Sequence, residues 1–314
     1  LERALLMCGH LNWFWHIGGQ HLTGRSTVDA LLTLQAGGAP SVAESRALLT
    51  SAMIGTATND WGRSQADATR ALALGDTLGD PQVSAEAAMY VGYGHLHGGR
   101  MDDARVALDD AIARSRAAQS DFMLSTAMTI KGMLLFATGD LERGMALVEE
   151  ARAIQIRLDD YEVGGLALSF LAQMTFATGD HARAMALYRE ALTSVETVGD
   201  RPEIARILCE MGWTALAATS IDDARHAFRR AVRAYEEVGS PPGVGLALMG
   251  LAAVEAAAGR PEIAVQIAAA ADALSARAGI VLDHPMDPGV VGRIEALKAS
   301  IPRGTLDEIG RAHV

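Results

Sequence analysis

The sequence has little cysteine, few aromatic side chains and no excess of positive charge. Its two cysteines, Cys8 and Cys209, lie far apart and neither belongs to a CxxC motif, which argues against a disulfide framework and against a cysteine-based zinc site. Aromatic residues make up 5% of the 314 residues, whereas alanine is abundant. This composition suits closely packed helices better than the branched and aromatic strands of a sandwich or barrel. We therefore expect an all-α protein.

The charge balance argues against nucleic acid as a direct partner. The chain has 27 Lys and Arg against 38 Asp and Glu, a formal net charge of −11, whereas binding to a phosphate backbone needs clustered basic side chains. The apolar stretch 243–259 is about as long as a membrane span, but Glu255 interrupts it and charged segments flank it. We expect no membrane insertion, and the scarcity of cysteine fits a cytoplasmic location.

One phrase of the sequence recurs at a fixed interval of 40 residues. ATGDLERGMALVEEA begins at residue 137 and ATGDHARAMALYREA at residue 177, and related segments begin at 57, 97, 217 and 257, with a degenerate copy near 17. Repeats of this length are typical of solenoids built from helical hairpins, in which each unit buries its apolar face against its neighbours.

Each repeat carries the signals of a turn between two helices. At the end of the first helix we expect a left-handed residue, which glycine adopts without steric cost, at Gly99, Gly139, Gly179 and Gly259. The next position is suited to cap the second helix, as with Asp140, Asp180 and Ser220, and Ser220 with Asp223 resembles a capping box. At the other boundary, Asp80-Pro81 and Ser240-Pro241 read as an N-cap followed by proline in the first turn.

Small side chains recur on both helices of the repeat and predict close packing. In the first helix they are Gly92, Gly132, Ala172, Gly212 and Ala252; in the second they form a stripe that includes Ala104, Gly144, Ala184, Ala224 and Ala264. In the second helix an alanine follows each of these residues seven positions later, as Ala111 follows Ala104, which puts both on one helix face and lets the two helices approach closely.

These patterns predict a right-handed α-solenoid of about seven 40-residue helical hairpins over residues 1–280, with a concave inner face. A short helical tail is expected over residues 281–308. The last six residues, 309–314, read IGRAHV, which is also the translation of a common sequencing adaptor, and we expect them to be an artefact. Together with the start at Leu1, this suggests a gene fragment.

The small residues Gly132, Gly144 and Ala151 resemble the tetratricopeptide-repeat signature of one small residue in the first helix and two in the second. The opening HLNWFWHIGGQHLTGRSTVDALLTL, the repeat ends RLDD and TVGD, and the segment LDHPMDPGVVGRIEALKASIP are similar to the C-terminal helical region of bacterial LuxR-type and related signal-transduction ATPase (STAND, maltose-regulator-like) regulators. The resemblance implies a non-catalytic arm of a transcriptional regulator that senses an effector or binds a partner, with the ATPase and DNA-binding domains outside this chain. The alternatives are a free-standing scaffold and a fragment of an enzyme whose active site lies elsewhere.

The motifs that suggest chemistry have simpler structural interpretations. Residues 19–27, GQHLTGRST, match a P-loop except that Arg25 replaces the lysine, and we expect no strand before them, so an inter-helix turn is the better interpretation. His95 and His97 are two residues apart, unlike the four-residue spacing of a helical zinc pair. We expect no catalytic residues, cofactor or metal.

If the first helix of each hairpin lines the concave surface, as in the family, the repeat points to candidate binding residues. Tyr93, Met133, Gln173 and Trp213 share one position, and Phe136 and Phe176 lie one turn further. A second equivalent series is Met89, Thr129, Ser169, Cys209 and Met249. Charged candidates are Lys131, Arg206 and Glu210, because charges on an apolar face are costly unless paired or exposed to a ligand. Such a lining suits a protein, a peptide or a small organic effector, and the alternative is that the apolar members only fill space between repeats.

Overall fold

A computed structural model of the protein describes residues 1–58, 60–158 and 161–278, together with 292, 295–297 and 299. Within residues 1–58, 60–158 and 161–278 the chain forms fifteen α-helices and no β-strand. The helices are α1 (Glu2–His10), α2 (Asn12–Ile17), α3 (His21–Gln35), α4 (Val42–Ala57), α5 (Trp61–Leu78), α6 (Pro81–His97), α7 (Met101–Ala117), α8 (Asp121–Ala137), α9 (Leu141–Leu158), α10 (Tyr161–Ala177), α11 (His181–Val198), α12 (Arg201–Ala217), α13 (Ile221–Glu237), α14 (Pro241–Ala257) and α15 (Pro261–Ala278).

The helices make up seven successive pairs, so the predicted α-solenoid of helical hairpins is confirmed. We call the first helix of each pair the A helix (α1, α4, α6, α8, α10, α12, α14) and the second the B helix (α3, α5, α7, α9, α11, α13, α15). The extra helix α2 lies between α1 and α3 and makes the first pair irregular. The predicted tail 281–308 lies outside the described residues except for 292, 295–297 and 299, which are helical, and residues 309–314 lie wholly outside them.

The chain folds into two compact units, Leu1–Met174 and Thr175–Val314, whose boundary falls within α10. In the first unit α4 packs on α6 and α6 on α8, and in the second unit α12 packs on α14. The B helices α5, α7 and α13 each contact the A helices before and after them. Each unit therefore has one face formed by A helices, the A face, and an opposite face formed by B helices, the B face.

The turn between the helices of a pair has the predicted geometry. Gly99, Gly139, Gly179 and Gly259 have φ values of +72°, +88°, +85° and +73°, in the left-handed region. The equivalent position between α12 and α13 is Thr219, which adopts the same conformation with φ of +60°. A β-branched residue is strained there, because its Cβ approaches the backbone in a way that glycine avoids.

Most of the predicted caps are present. Asp80 accepts hydrogen bonds from the backbone N–H groups of Gln82 and Val83 at 3.1 and 3.0 Å, with Pro81 in the first turn. Ser220 differs from the prediction, since its hydroxyl donates to the carboxylate of Asp223 at 2.7 Å and accepts no bond from the helix. The nearby carboxylate is charged and therefore a strong acceptor for the hydrogen bond that the hydroxyl donates.

The small residues allow the two helices of a pair to meet at backbone distance. A Cβ added to Gly144 of α9 would lie 2.9 Å from the carbonyl oxygen of Gly132 in α8, and one added to Gly132 would lie 2.4 Å from Cγ2 of Val148. Leu108 and Phe228, at the positions equivalent to Val148, fill the notches at Gly92 and Gly212 in the same way. The predicted close packing is confirmed, and the notch also receives one larger side chain from the B helix.

We expect Thr219→Gly to stabilise the protein. The substitution relieves left-handed strain of roughly 1–2 kcal/mol, and the greater freedom of glycine in the unfolded chain offsets roughly 0.5–1 kcal/mol of it, so the expected gain is up to about 1.5 kcal/mol. Urea denaturation followed by circular dichroism measures it. Gly139→Ala is the matched control and should lower stability by a similar amount; a loss of stability in Thr219→Gly would contradict the assignment of strain.

Candidate functional site

The A face of each unit carries charged side chains that are paired with one another. Arg46 of α4 and Glu86 of α6 occupy equivalent positions in consecutive pairs, and their side chains form an ion pair at 3.4 Å. Burial raises the pKa of Glu86, and Arg46 opposes that shift. The arginine at the same position in the second unit, Arg206 of α12, donates from Nε to Glu203 at 2.8 Å.

The charged candidates Arg206 and Glu210 are brought together on α12. Nη1 of Arg206 lies 4.0 Å from a carboxylate oxygen of Glu210. The Glu210 side chain is only 8% exposed and that of Arg206 is 29% exposed, so only the arginine has an appreciable surface open to a partner. Pairing within the helix offsets the cost of burying the two charges.

Three aromatic rings of the first unit form a cluster beside the A face. The indole of Trp61, at the start of α5, stacks on the imidazole of His97 with centroids 3.7 Å apart and planes within 2°. Tyr93 meets both rings edge-on, at 5.5 Å from Trp61 and 4.7 Å from His97. Desolvation by its neighbours lowers the pKa of His97 to about 4, so the imidazole is neutral at pH 7, although the residue as a whole is exposed.

Tyr93 and His97 lie on the same side of α6 as Glu86. They follow Glu86 by seven and eleven residues, which at about 100° per residue places all three within about 20° of one line along the helix. Together with Arg46 and Trp61 they form a partly exposed surface of paired charges and aromatic rings, which we call the α6 surface. Of these residues, only Tyr93 was predicted from the sequence as a binding residue. The signal that could have found Trp61 is its indole side chain, because the equivalent positions in later repeats hold Met101, Leu141, His181 and Ile221.

The extra helix α2 contacts helix α8, which belongs to the fourth hairpin of the same unit. Trp13 of α2 meets Phe122, in the first turn of α8, edge-on with ring centroids 6.2 Å apart. The position in α8 equivalent to Glu86 is Thr126, four residues after Phe122. Residues four apart lie on the same side of a helix, so Phe122 belongs to the A face. The irregular first pair therefore contributes a side chain to the A face of α8.

The structure does not support Lys131 as an A-face residue. It lies five residues after the position equivalent to Glu86, which is about 140° away around the helix. Its ammonium group pairs with the carboxylate of Asp109 on α7, a B helix. The sequence correctly indicated that Lys131 places a charge where other repeats have an apolar residue. However, Lys131 lies on the side of α8 that faces the B helices and not on the A face.

Trp213 and the second predicted series are also not open to a partner. Trp213 is 2% exposed and packs edge-on against Phe228 of α13, with centroids 5.2 Å apart. The A helices are flanked by other A helices and backed by B helices, so only a narrow strip of each is exposed. All members of the second series are buried: Met89, Thr129, Ser169, Cys209 and Met249.

The other predicted residues are partly buried. Met133 packs against the core of the first unit, and Phe136 and Gln173 are partly exposed in that unit. Phe176 belongs to the second unit, where its ring lies 4.9 Å from that of His181. Of the nine predicted residues, five belong to the first unit and four to the second.

The P-loop-like segment 19–27 is mostly helical, whereas the sequence predicted an inter-helix turn; only Gly19 and Gln20 precede helix α3. Helix α3 begins at His21 and includes Arg25, which donates to the hydroxyl of Thr58 at 2.9 Å and pairs with Asp60 at 3.2 Å. In residues 1–58, 60–158 and 161–278, no group of three or more His, Cys, Asp and Glu is arranged to hold a metal ion. Over the same residues, no helix combines the length and apolar character needed to cross a membrane.

Comparison with known families agrees with this geometry. One model of the tetratricopeptide repeat matches residues 57–122 and 209–278, and a second matches residues 165–237. The matches together cover more than half of the chain. The chain belongs to the tetratricopeptide-repeat family. No curated protein shows significant similarity to the sequence.

Several solved structures resemble this tetratricopeptide-repeat protein. BtubC (BKLC) from P. vanneervenii is 19% identical with a TM-score of 0.59, covering 72% of this chain and 94% of that one. The Rap conjugation gene regulator of plasmid pLS20, solved with the Phr* peptide, is 16% identical with a TM-score of 0.67, covering 87% and 73%. A signal-transduction ATPase with a tetratricopeptide-repeat sensor from Pyrococcus horikoshii is 12% identical with a TM-score of 0.59, covering 91% and 46%. At these identities the similarity shows the fold.

We expect the stability of the second unit to depend on pH through Asp200, the N-cap of α12. Asp200 is 3% exposed and accepts the backbone N–H of Glu203 at 3.1 Å. Burial and then the negative charge of Glu203 raise its pKa to about 7. Because this exceeds the unfolded value of 3.8, the contribution of Asp200 is fully favourable below about pH 4 and is lost as pH rises through about 7.

The substitution Asp200→Asn keeps a side chain that can cap α12 and removes the titratable carboxyl group. Relative to this variant, the unaltered protein should lose about 2 kcal/mol of stability between pH 5 and pH 8. Urea denaturation at both pH values measures the difference, with Asp180→Asn at the exposed cap of α11 as the matched control. Identical pH dependence in the unaltered protein and Asp200→Asn would contradict the raised pKa.

Proposed function

We propose that this chain is a non-catalytic module that binds a protein, a peptide or a small organic effector on the A face of its first unit. The observation that carries the proposal is the α6 surface, where Trp61, Tyr93 and His97 lie beside the Arg46–Glu86 ion pair. Rigid aromatic rings supply contact area at low entropic cost, and neighbouring charges supply orientation. This combination is typical of surfaces that bind peptides.

The wider role that we propose is the effector-sensing arm of a bacterial, cytoplasmic, ATP-dependent transcriptional regulator of the LuxR-type or STAND class. The support is the resemblance of the sequence to such regulators and the similarity of the fold to the repeat sensor of a signal-transduction ATPase and to a peptide-bound Rap regulator. A ligand on the A face would shift the arrangement of adjacent hairpins, because each hairpin touches mainly its neighbours. The alternative is a free-standing scaffold, and the 94% coverage of BtubC is consistent with that.

The binding surface can be tested with peptides selected from a random display library on the unaltered protein. Tyr93→Ala and His97→Ala should each weaken a peptide bound at the α6 surface by about tenfold or more, since loss of a hot-spot side chain costs about 2 kcal/mol. Isothermal titration calorimetry measures the affinities, and circular dichroism checks that the variants fold. Lys131→Ala, on the other side of an A helix, is the control and should leave the affinity unchanged. If every selected peptide binds both alanine variants as it binds the unaltered protein, the A face is not the binding surface.

The regulator role has a separate test in the genomic sequence upstream of Leu1. An open reading frame that continues into a P-loop ATPase with a winged helix would support the sensing arm. A signal peptide or a catalytic domain in that place would rule it out.

A further inference from the structure

The B face of the second unit has a cleft on the side of α12 opposite to Arg206. The cleft has a volume of about 190 Å³ and lies between α11 and α13. Met211 and Ala215 of α12 form its floor; they follow Arg206 by five and nine residues and so lie about 140° and 180° from it around the helix. Met185 of α11 and the buried Leu208 complete an apolar lining.

The rim of the cleft is basic although the chain as a whole is acidic. Arg189 of α11 and His226 and Arg230 of α13 line it, and Asp223 is its single acidic residue. All four are exposed. Arg230 pairs with Glu196 at 3.4 Å, a pair in which both side chains are more than 40% exposed. Among the described residues Arg189 has no ion-pair partner.

The equivalent position in the first unit is occupied differently. There Lys131 occupies the position equivalent to Met211, and Asp109 of α7 occupies the position equivalent to Arg189, each two repeats earlier. The two side chains pair with each other across the space that is open in the second unit. At equivalent positions of the repeat, the first unit therefore has an ion pair, Lys131–Asp109, whereas the second unit has the apolar side chain of Met211 beside Arg189, which is unpaired within the part of the chain that the structure describes.

We propose that this cleft is a second docking surface, which binds a segment of a partner protein that carries one large apolar side chain flanked by carboxylates. A cavity of about 150 Å³ holds a benzene molecule, so the cleft accommodates one side chain the size of Leu or Phe. Arg189 of α11 and Arg230 of α13 both line the cleft, where they can pair with Asp or Glu next to that residue, Arg230 by exchanging its exposed pair with Glu196. The residues of this cleft belong to the second unit and those of the α6 surface to the first.

The test uses peptides selected from a random display library on the unaltered protein and counter-selected on the Met211→Glu variant. We expect the recovered peptides to contain Leu, Phe or Met next to Asp or Glu. Fluorescence anisotropy should show at least tenfold weaker binding to Arg189→Glu/Arg230→Glu, which changes only exposed positions, and to Met211→Glu. Raising NaCl from 50 to 500 mM should weaken binding severalfold, because the charges on the rim are screened.

Two control variants distinguish binding in the cleft from binding elsewhere on the protein. Arg183→Glu, in the exposed first turn of α11, reverses a charge outside the cleft and should leave binding unchanged, and so should Tyr93→Ala. Recovery of no acidic peptide, or equal binding to the double arginine variant, would overturn the proposal. A dimer in sedimentation velocity that Arg189→Glu dissociates would also overturn it, because the occupant would then be a second copy of this chain.

Discussion

The close approach of the two helices in each hairpin is the constraint on which the rest of the structure depends. In the pair α8 and α9, Gly132 and Gly144 bring the backbones so near that an added Cβ at Gly144 would lie 2.9 Å from the facing carbonyl oxygen. The notch so formed receives Val148, and the equivalent notches receive Leu108 and Phe228. Since interiors are close-packed and tolerate little added volume, each hairpin is fixed as one piece. The hairpins then stack with the same geometry because the same contacts recur.

This rigid hairpin also determines which side chains are left for binding. An A helix has B helices behind it and A helices beside it, so its exposed surface is reduced to one strip, which on α6 carries Glu86, Tyr93 and His97. The opposite side of the A helix forms the floor between two B helices. Whether that floor is closed, as by Lys131 and Asp109, or open, as at Met211, depends on single substitutions within the repeat.

The sequence alone could predict the features that repeat, and it missed those that depend on neighbours in space. The 40-residue interval, the left-handed glycines and most of the caps follow from local chemistry, and the structure has them at the expected residues. However, residues at equivalent positions of the repeat can differ in how exposed their side chains are. Tyr93 and Trp213 occupy the same position, but the first is partly exposed beside Trp61 and the second is buried on Phe228. The side chain that decides each case comes from another helix, 15 to 32 residues away.

The two candidate surfaces differ in how their charges are satisfied, and this difference bears on what each can bind. On the α6 surface Arg46 and Glu86 already neutralise each other, so a ligand gains little from either charge and must draw its affinity from the aromatic rings. At the cleft of the second unit, Arg189 has no ion-pair partner among the described residues and Arg230 shares an exposed ion pair with Glu196, within a chain of net charge −11. At physiological ionic strength the distant acidic residues are screened beyond about 8 Å, so an acidic segment at the rim experiences mainly the local positive charge. An acidic partner is therefore compatible with an acidic protein, provided that it binds at this cleft.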